Sequence, residues 1–280
     1  MSSKKTFPND FLNQPVHFSL RFDAPRPAHE NMACDETVLH STIQYCTIPI
    51  PNTANTGSST ASFSIILRNY GWTPAAVSFG YHETIHSRIN LHAIKKDGLD
   101  IVRRFSGGRS VLHDQELTFA IVFPLNILQN PTHTGAFTFC SELFMHMFNS
   151  FGITTHMITR PHRPATHDCF NTASQFELVD TQGRKVVGSA QRITEGVVLH
   201  HAAIPFKQSS FSLSDYLPVP KYCINNDFID KYSDKTFTEM QQLLRTVLFT
   251  ILPSAAEEQS PAPTADLLQQ YTNESFLFRK

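Results

Sequence analysis

The chain has almost no net charge. Its 280 residues carry 23 basic and 24 acidic side chains, a formal charge of −1. A general nucleic-acid surface needs a clear basic excess, so that class is excluded, while a local basic patch for an acidic protein partner is not. Long apolar runs are also missing. No stretch approaches the about 20 residues that span a bilayer, and the opening "MSSKKTFPND" has no apolar signal-peptide core. A cytoplasmic protein with no membrane partner and no nucleic-acid partner is expected. Cysteine is sparse and scattered: Cys34, Cys46, Cys140, Cys169 and Cys223 make an odd count without a CxxC pair. That speaks against a disulfide framework and against a cysteine-rich zinc site. Neither GxGxxG nor a Walker lysine motif occurs, which removes dinucleotide and P-loop readings.

What is present is phenylalanine, 23 residues of it, enough for aromatic packing to dominate a core. "VHFSLRF" alternates as a strand, and Met32, Leu39, Ile43 and Cys46 share a helical face in the segment that follows. "PNTANTGSST" reads as a polar loop, "SFSIILRNYGW" and "AAVSFGYHE" as strands, and "TIHSRINLHAIKKDG" as a helix closed by Gly98. "DIVRRF" and "SVLHD" flank Ser-Gly-Gly, which suggests a hairpin or bulged turn. "ELTFAIVF" is a strand, "GAFTFCSELFMHMFNSFG" a core helix, and "PHRPATHDCFNTAS" a polar loop. "QFELVD", "KVVGSAQRI" and "VVLHHAAI" suggest a β-meander with turns at Gly183 and Gly196. "FTEMQQLLRTVLFTIL" supplies a late helix, and "SAAEEQSPAPTAD" is linker-like. Strands in runs with interspersed helices predict an α+β fold with mixed or mostly antiparallel sheets flanked by helices.

Three motifs carry chemistry. In "RRFSGGRSVLHD", Gly107 and Gly108 allow close backbone approach and expose amides, beside Arg103, Arg104, Ser106 and Arg109. Arginines there supply charge and planar hydrogen bonding, suited to a phosphate, a carbonyl or an acyl-carrier arm. The plain alternative is a surface hairpin with solvated arginines. In "GRKVVGSAQR", the small residues Gly188, Ser189 and Ala190 leave room for a group to lie against the strand. Lys185, which opens that strand, either points to solvent or polarises a carbonyl in that space. In "THDCFNTAS", Cys169 sits in a polar loop near His162 and His167, where cationic neighbours favour a thiolate; otherwise it is an inert loop cysteine. His156, His162, His167 and Cys169 match no familiar zinc spacing, and no metal site is expected.

Taken together and in this order, the motifs resemble the lipoate-protein ligase and octanoyltransferase superfamily, related to the catalytic domain of biotin protein ligases. The resemblance runs from about Phe18 to Pro205 through "NMACDETVL", "LRNYGWTPAAVSFGYHE", "VRRFSGGRSVLHDQELTFA" and "KVVGSAQRITEGVVLHHAAI". It implies a biotin/lipoate protein ligase-like catalytic domain over 1–205, with 206–280 a C-terminal helical extension packed on it. ATP-dependent ligases of the family typically carry a third glycine in the turn and a glycine-asparagine pair after the His-Asp. Here Arg109 and Glu116-Leu117-Thr118 stand at those places, which is more similar to the LipM-type octanoyltransferases.

That branch implies octanoyl transfer from acyl carrier protein to a lysine of a lipoyl domain of 2-oxoacid dehydrogenases, or of the glycine-cleavage H protein. Cys169 would be the nucleophile and Lys185 would contact the acyl carbonyl. Arg103, Arg104, Ser106, Gly107, Gly108, Arg109, His113, Gly188, Ser189 and Ala190 would bind substrate. No cofactor is implied. ATP and magnesium enter only for the alternative, a lipoate-protein ligase acting through lipoyl-adenylate. His113 is either catalytic or structural, and Arg103, Arg104 and Arg109 are candidates for a local basic surface, unless they face inward.

Overall fold

A computed structural model describes residues 6–47, 63–84, 89–158, 177–221 and 223–278. The loops "PNTANTGSST" and "PHRPATHDCFNTAS", and Cys169 with the second, lie outside the described residues. Along the chain run β1 (Val16–Phe22), α1 (Ala28–Thr47), β2 (Phe63–Tyr70), β3 (Ala76–Phe79), α2 (Leu91–Lys96), β4 (Asp100–Arg103), β5 (Val111–His113), β6 (Glu116–Pro124) and α3 (His133–Ser150). They are followed by β7 (His156–Met157), β8 (Leu178–Val179), β9 (Gly188–Thr194), β10 (Val197–Pro205), α4 (Asp227–Tyr232), α5 (Phe237–Ile251), β11 (Ala256–Glu257), α6 (Ala265–Thr272) and α7 (Glu274–Leu277).

The main sheet has six strands in the order β11-β1-β2-β6-β10-β9. β1 pairs in parallel with β11 and β2, and the remaining neighbours are antiparallel. Every residue of β6 and β10 is buried, because helices cover both faces of the sheet. Alternation decides which layer each side chain meets. Leu117, Phe119, Ile121 and Phe123 of β6 pack with Phe139, Phe144 and Phe148 of α3 and Met240, Leu244 and Leu248 of α5. Ala120 and Val122 pack on the other face, with Met32, Leu39 and Ile43 of α1 and Leu267 and Tyr271 of α6. β9 and β10 close through Glu195 and Gly196, both at positive φ (48° and 76°), as a two-residue hairpin with the strands' own twist requires.

A second sheet has the order β4-β3-β5, with β3 parallel to β4 and antiparallel to β5. This corrects the hairpin expected around Ser-Gly-Gly. β4 and β5 do not pair; β3 lies between them, so residues 104–110 must cross the end of β3. The expected meander is also only partly formed. β9 and β10 pair, whereas β8 pairs with β7 and touches the β9 side only through a bridge from Val179 to Lys185. The helix closed by Gly98 is shorter than its sequence suggests, beginning at Leu91 behind an Asn90 cap. The linker-like tail contains β11, which adds to β1, and leads into α6 against α1. Local sequence could not reveal that edge pairing, since each of those contacts is remote along the chain.

Candidate active site

The crossing of residues 104–110 over β3 brings two backbones into contact. A Cβ on Gly80, just past β3, would lie 1.8 Å from the carbonyl oxygen of Gly108, so only glycine fits there. Gly108 itself has φ of 92°. Both adjacent arginines are buried and spend their donors on carbonyls. Arg104 donates from Nη1 to Ser78 Oγ (2.9 Å) and from Nη2 to the carbonyls of Gly107 (2.9 Å) and Arg109 (2.6 Å), stapling the turn. Arg103 donates from Nη1 to the carbonyls of Gly80 and Glu83 (2.8 Å each) and from Nε to that of Leu277 (2.9 Å). The C-terminal α7 is thereby tied to the turn. Glu83 completes the lock, accepting from Ser110 Oγ (2.7 Å) and the Gly80 amide (3.2 Å). Of the three arginines offered for a basic surface, only Arg109 is exposed.

The turn packs on β9. A Cβ on Gly108 would come within 3.4 Å of Ala190 Cβ, and the Arg192 guanidinium sits 4.1 Å from the ring centre of Tyr81 and 3.9 Å from that of Phe105. Between the two motifs lies a cavity. Its apolar wall is Met32, Tyr70 and Trp72; Gly188, Ser189 and Ala190 line the opposite side; Ser78, Arg104 and His113 supply the polar edge. The three small residues of β9 thus do border space. Among the described residues, Lys185 does not line this cavity. It precedes β9, is buried, and its Nζ donates to Glu177 Oε1 at 2.8 Å. Its carbonyl accepts from Asn226 Nδ2 at 3.1 Å. Lys185 is therefore not solvated, and the strand it was expected to open begins at Gly188.

Two imidazoles organise the polar edge. His113 stacks on Trp72 with ring centres 4.1 Å apart. Its Nε2 meets Ser78 Oγ and its Nδ1 meets Glu116 Oε1, each at 2.7 Å. A Nδ1–H tautomer donates to the carboxylate and leaves Nε2 to accept from Ser78, whose oxygen in turn accepts from Arg104. Thr118 closes the ring, donating to Glu116 (2.5 Å) while accepting from Trp72 Nε1 (2.7 Å). His201 lies on the same side, with Nδ1 2.7 Å from Ser106 Oγ and Nε2 3.2 Å from Asp35 Oδ2. Behind it, fully buried Arg68 donates to Asp23 and Asp35 at 2.7 Å each, and Tyr70 OH donates to Asp35 at 2.7 Å. Burial pushes the Asp35 carboxyl up, but Arg68, His201 and Tyr70 outweigh it and hold the group below its ordinary range. Burial and the adjacent Asp35 push the Tyr70 phenol well up, so it remains a donor.

Sequence inspection singled out Arg104, His113 and the Gly-Ser-Ala run, which converge here, and Ser106, which joins them through His201. It missed Ser78, Trp72, His201 and Asp35. The one available signal was the "HH" pair in a strand, which forces one imidazole onto each face. Among the described residues, no cluster of His, Cys, Asp and Glu is arranged to hold a metal ion. No helix among them is long and apolar enough to cross a membrane.

The sequence profile of the lipoyl protein ligase A/B catalytic domain matches residues 27–252. The chain belongs to that family. It is 34% identical over 181 residues to an octanoyltransferase LipM of Brevibacillus brevis, covering 61% of this chain and 65% of that protein. Against octanoyltransferase LipM of Bacillus subtilis it is 38% identical, covering 55% of this chain and 59% of the relative. With the Staphylococcus aureus protein of the same name the match covers 77% of this chain and 87% of that one, at 28% identity. The chain thus spans about three fifths of the length of the first two curated relatives. The fold is also that of a putative lipoate protein ligase from T. acidophilum with bound lipoic acid. That match has a TM-score of 0.66 at 19% identity and covers 95% of this chain and all of the other. A lipoate-protein ligase A bound with ATP superimposes with a TM-score of 0.65 at 20% identity, covering 95% of this chain and 99% of that one. These likenesses confirm the α+β architecture expected from the resemblance.

Proposed function

We propose that the chain is a cytoplasmic acyltransferase that moves an octanoyl group from acyl carrier protein to a lysine of a lipoyl domain or of the glycine-cleavage H protein. The observation that carries this reading is the cavity lined by Arg104 and Val111, which flank the Gly-Gly turn, and by Gly188, Ser189 and Ala190. It has an apolar wall for an alkyl chain and a fixed polar edge for an acyl head. The similarity to LipM octanoyltransferases supports it. In the first step the Cys169 thiolate attacks the donor thioester carbon; the new C–S bond forms as the carrier's C–S bond breaks, and the carrier leaves as its thiolate, which takes a proton from solvent. In the second step the acceptor amine attacks the acyl-enzyme, an amide forms, and the Cys169 thiolate is restored as the amine's proton is released. The donor is already activated as a thioester, so this path consumes no ATP.

Lys185 is assigned to the acyl carbonyl, where an ammonium steadies developing negative charge. Glu177 holds its Nζ, and Asn226 its backbone. Arg104 lines the cavity and, by stapling the carbonyls of Gly107 and Arg109, fixes the Ser-Gly-Gly backbone beside it, with Arg103 bracing the turn through the carbonyl of Gly80. Ser106, His113, Gly188, Ser189 and Ala190 complete the substrate site on this reading. Residues 1–205 are read as the catalytic domain and 206–280 as an extension of it, supported by the packing of α5 on β6 and of α6 on α1.

Intact-protein mass after mixing with octanoyl-acyl carrier protein, without ATP, tests the proposal. An octanoyl adduct on the wild type, absent from Cys169→Ala and cleaved by hydroxylamine, is the expected result. No adduct, together with lipoate-dependent ATP consumption, would overturn it in favour of an adenylating ligase.

A further inference from the structure

A second groove lies outside the cavity and meets it at Val111, which lines both. Ala203 lines the cavity and packs on Val111, and Ile224, which lines the groove, packs against the pair. The two spaces therefore adjoin, and the boundary between them is apolar. Two of the groove's walls are the segment from Lys207 to Leu213 and the pair Cys223 and Ile224, fastened to one another through Gln208. Its amide donates to the carbonyl of Ile224 and its oxygen accepts from Cys223 Sγ at 3.2 Å.

The groove's charges are unequal in availability. Asp114 already accepts from Ser209 Oγ (2.8 Å) and Gln115 Nε2 (3.1 Å), and Glu116 is enclosed by His113 and Thr118. Asp215 accepts from the Ser212 amide at 3.2 Å. Lys207 and Lys221 are exposed on the groove and form no salt bridge among the described residues. An occupant matched to this charge carries an anionic group for the two lysines and continues from the acyl group held in the adjoining cavity.

We propose that this groove seats the phosphorylated pantetheine arm of the acyl donor, with Lys207 and Lys221 engaging its phosphate and Val111 marking where the thioester enters the cavity. The proposal rests on the transferase reading and deepens it. The same arm occurs on acyl carrier protein and in coenzyme A, so the shared chemistry is the phosphopantetheine.

Calorimetric titration of the full-length Cys169→Ala chain with octanoyl-pantetheine and with its 4′-phosphate tests the phosphate contact without turnover, because that variant has no thiol to take the acyl group. The phosphate is expected to tighten binding by about fivefold or more, less at high salt, and Lys207→Ala/Lys221→Ala is expected to erase that preference. Both lysines are exposed, and a melting curve checks that the double variant is folded; Lys221→Gln alone serves as the milder variant, expected to weaken the preference in part. Equal affinity for the two ligands, or a preference that survives the double substitution, would overturn the proposal. Octanoyl-coenzyme A and octanoyl-acyl carrier protein are titrated alongside. Weakening of both supports a contact to the shared arm, while weakening of the carrier protein alone would put the lysines on its protein surface and overturn it. A phosphate preference without acyl transfer to Cys169 would sink the transferase reading while the groove stands; transfer with no preference would do the reverse.

Discussion

His200 and His201 are neighbours on β10, yet their rings enter opposite chemistries. His200 points to the α3 side, with the rings of Phe137 and Phe144 at 5.1 and 6.3 Å, and burial pushes its pKa down to about 3. It stays neutral, with Nδ1 on Gln191 Oε1 at 3.1 Å. His201 points to the α1 side, toward Ser106, Asp35 and the cavity. One face of the sheet is held by packed phenylalanines that exclude charge. The other is held by a buried polar network in which Arg68, Asp23, Asp35 and Tyr70 satisfy one another. Apolar packing tolerates small shifts in side-chain position, whereas a buried charge network holds its members in one geometry or costs several kcal/mol. The cavity adjoins the second face, where fixed geometry is needed.

The sharpest way to break the contrast is to remove one anchor from each face. Arg68→Ala leaves Asp23 and Asp35 buried without their cation and is expected to cost about 3–5 kcal/mol. Phe144→Ala is expected to cost about as much through its cavity. Their pH dependence differs. The Asp35 carboxyl is held below its ordinary 3.8, so its contribution is present above that pH and lost as pH falls through the folded value. Denaturant melts should therefore show the Arg68→Ala deficit narrowing below about pH 4, whereas any change in the Phe144→Ala deficit should follow the neighbouring His200 and begin near pH 6.5; parallel curves would refute the distinction. Next comes Gly80→Ala, whose Cβ would strike the Gly108 carbonyl and displace the turn. On the proposed transferase reading it is expected to lower the rate of acyl transfer by about 100-fold while the chain still folds cooperatively; steady-state kinetics beside calorimetry would measure both.

The apolar face has its own pH signature. The folded pKa of His200 lies far below its unfolded value of 6.5. As pH falls from 6.5 toward 3, the unfolded chain takes up a proton that the folded chain refuses, and stability drops by roughly 1 kcal/mol per pH unit. His200→Gln should flatten that slope, and an unchanged slope would show that another group carries it. The smallest effect is expected where the tail clasps the polar face. Tyr271 OH donates to Glu36 at 2.5 Å, joining α6 to α1, and Tyr271→Phe should cost about 1 kcal/mol in chemical denaturation.

The sequence by itself determined the strands and long helices, because alternation and helical spacing report which side chains must be buried. It also marked the turn, through consecutive glycines beside arginines, with a solvated hairpin as the alternative, and a family resemblance joined that turn to the Gly-Ser-Ala run, which borders the same cavity. Only the tertiary structure decided what the arginines do. Arg103 meets the carbonyls of Gly80, Glu83 and Leu277, and Arg104 meets the Ser78 hydroxyl, contacts that exist only once β3 lies between β4 and β5 and α7 returns from the end of the chain. The same holds for Ser78, an ordinary strand residue until β3 pairs with β5 and sets it on Nε2 of His113. A sequence encodes local preference residue by residue, whereas hydrogen-bond partners far apart in the chain are chosen by sheet order.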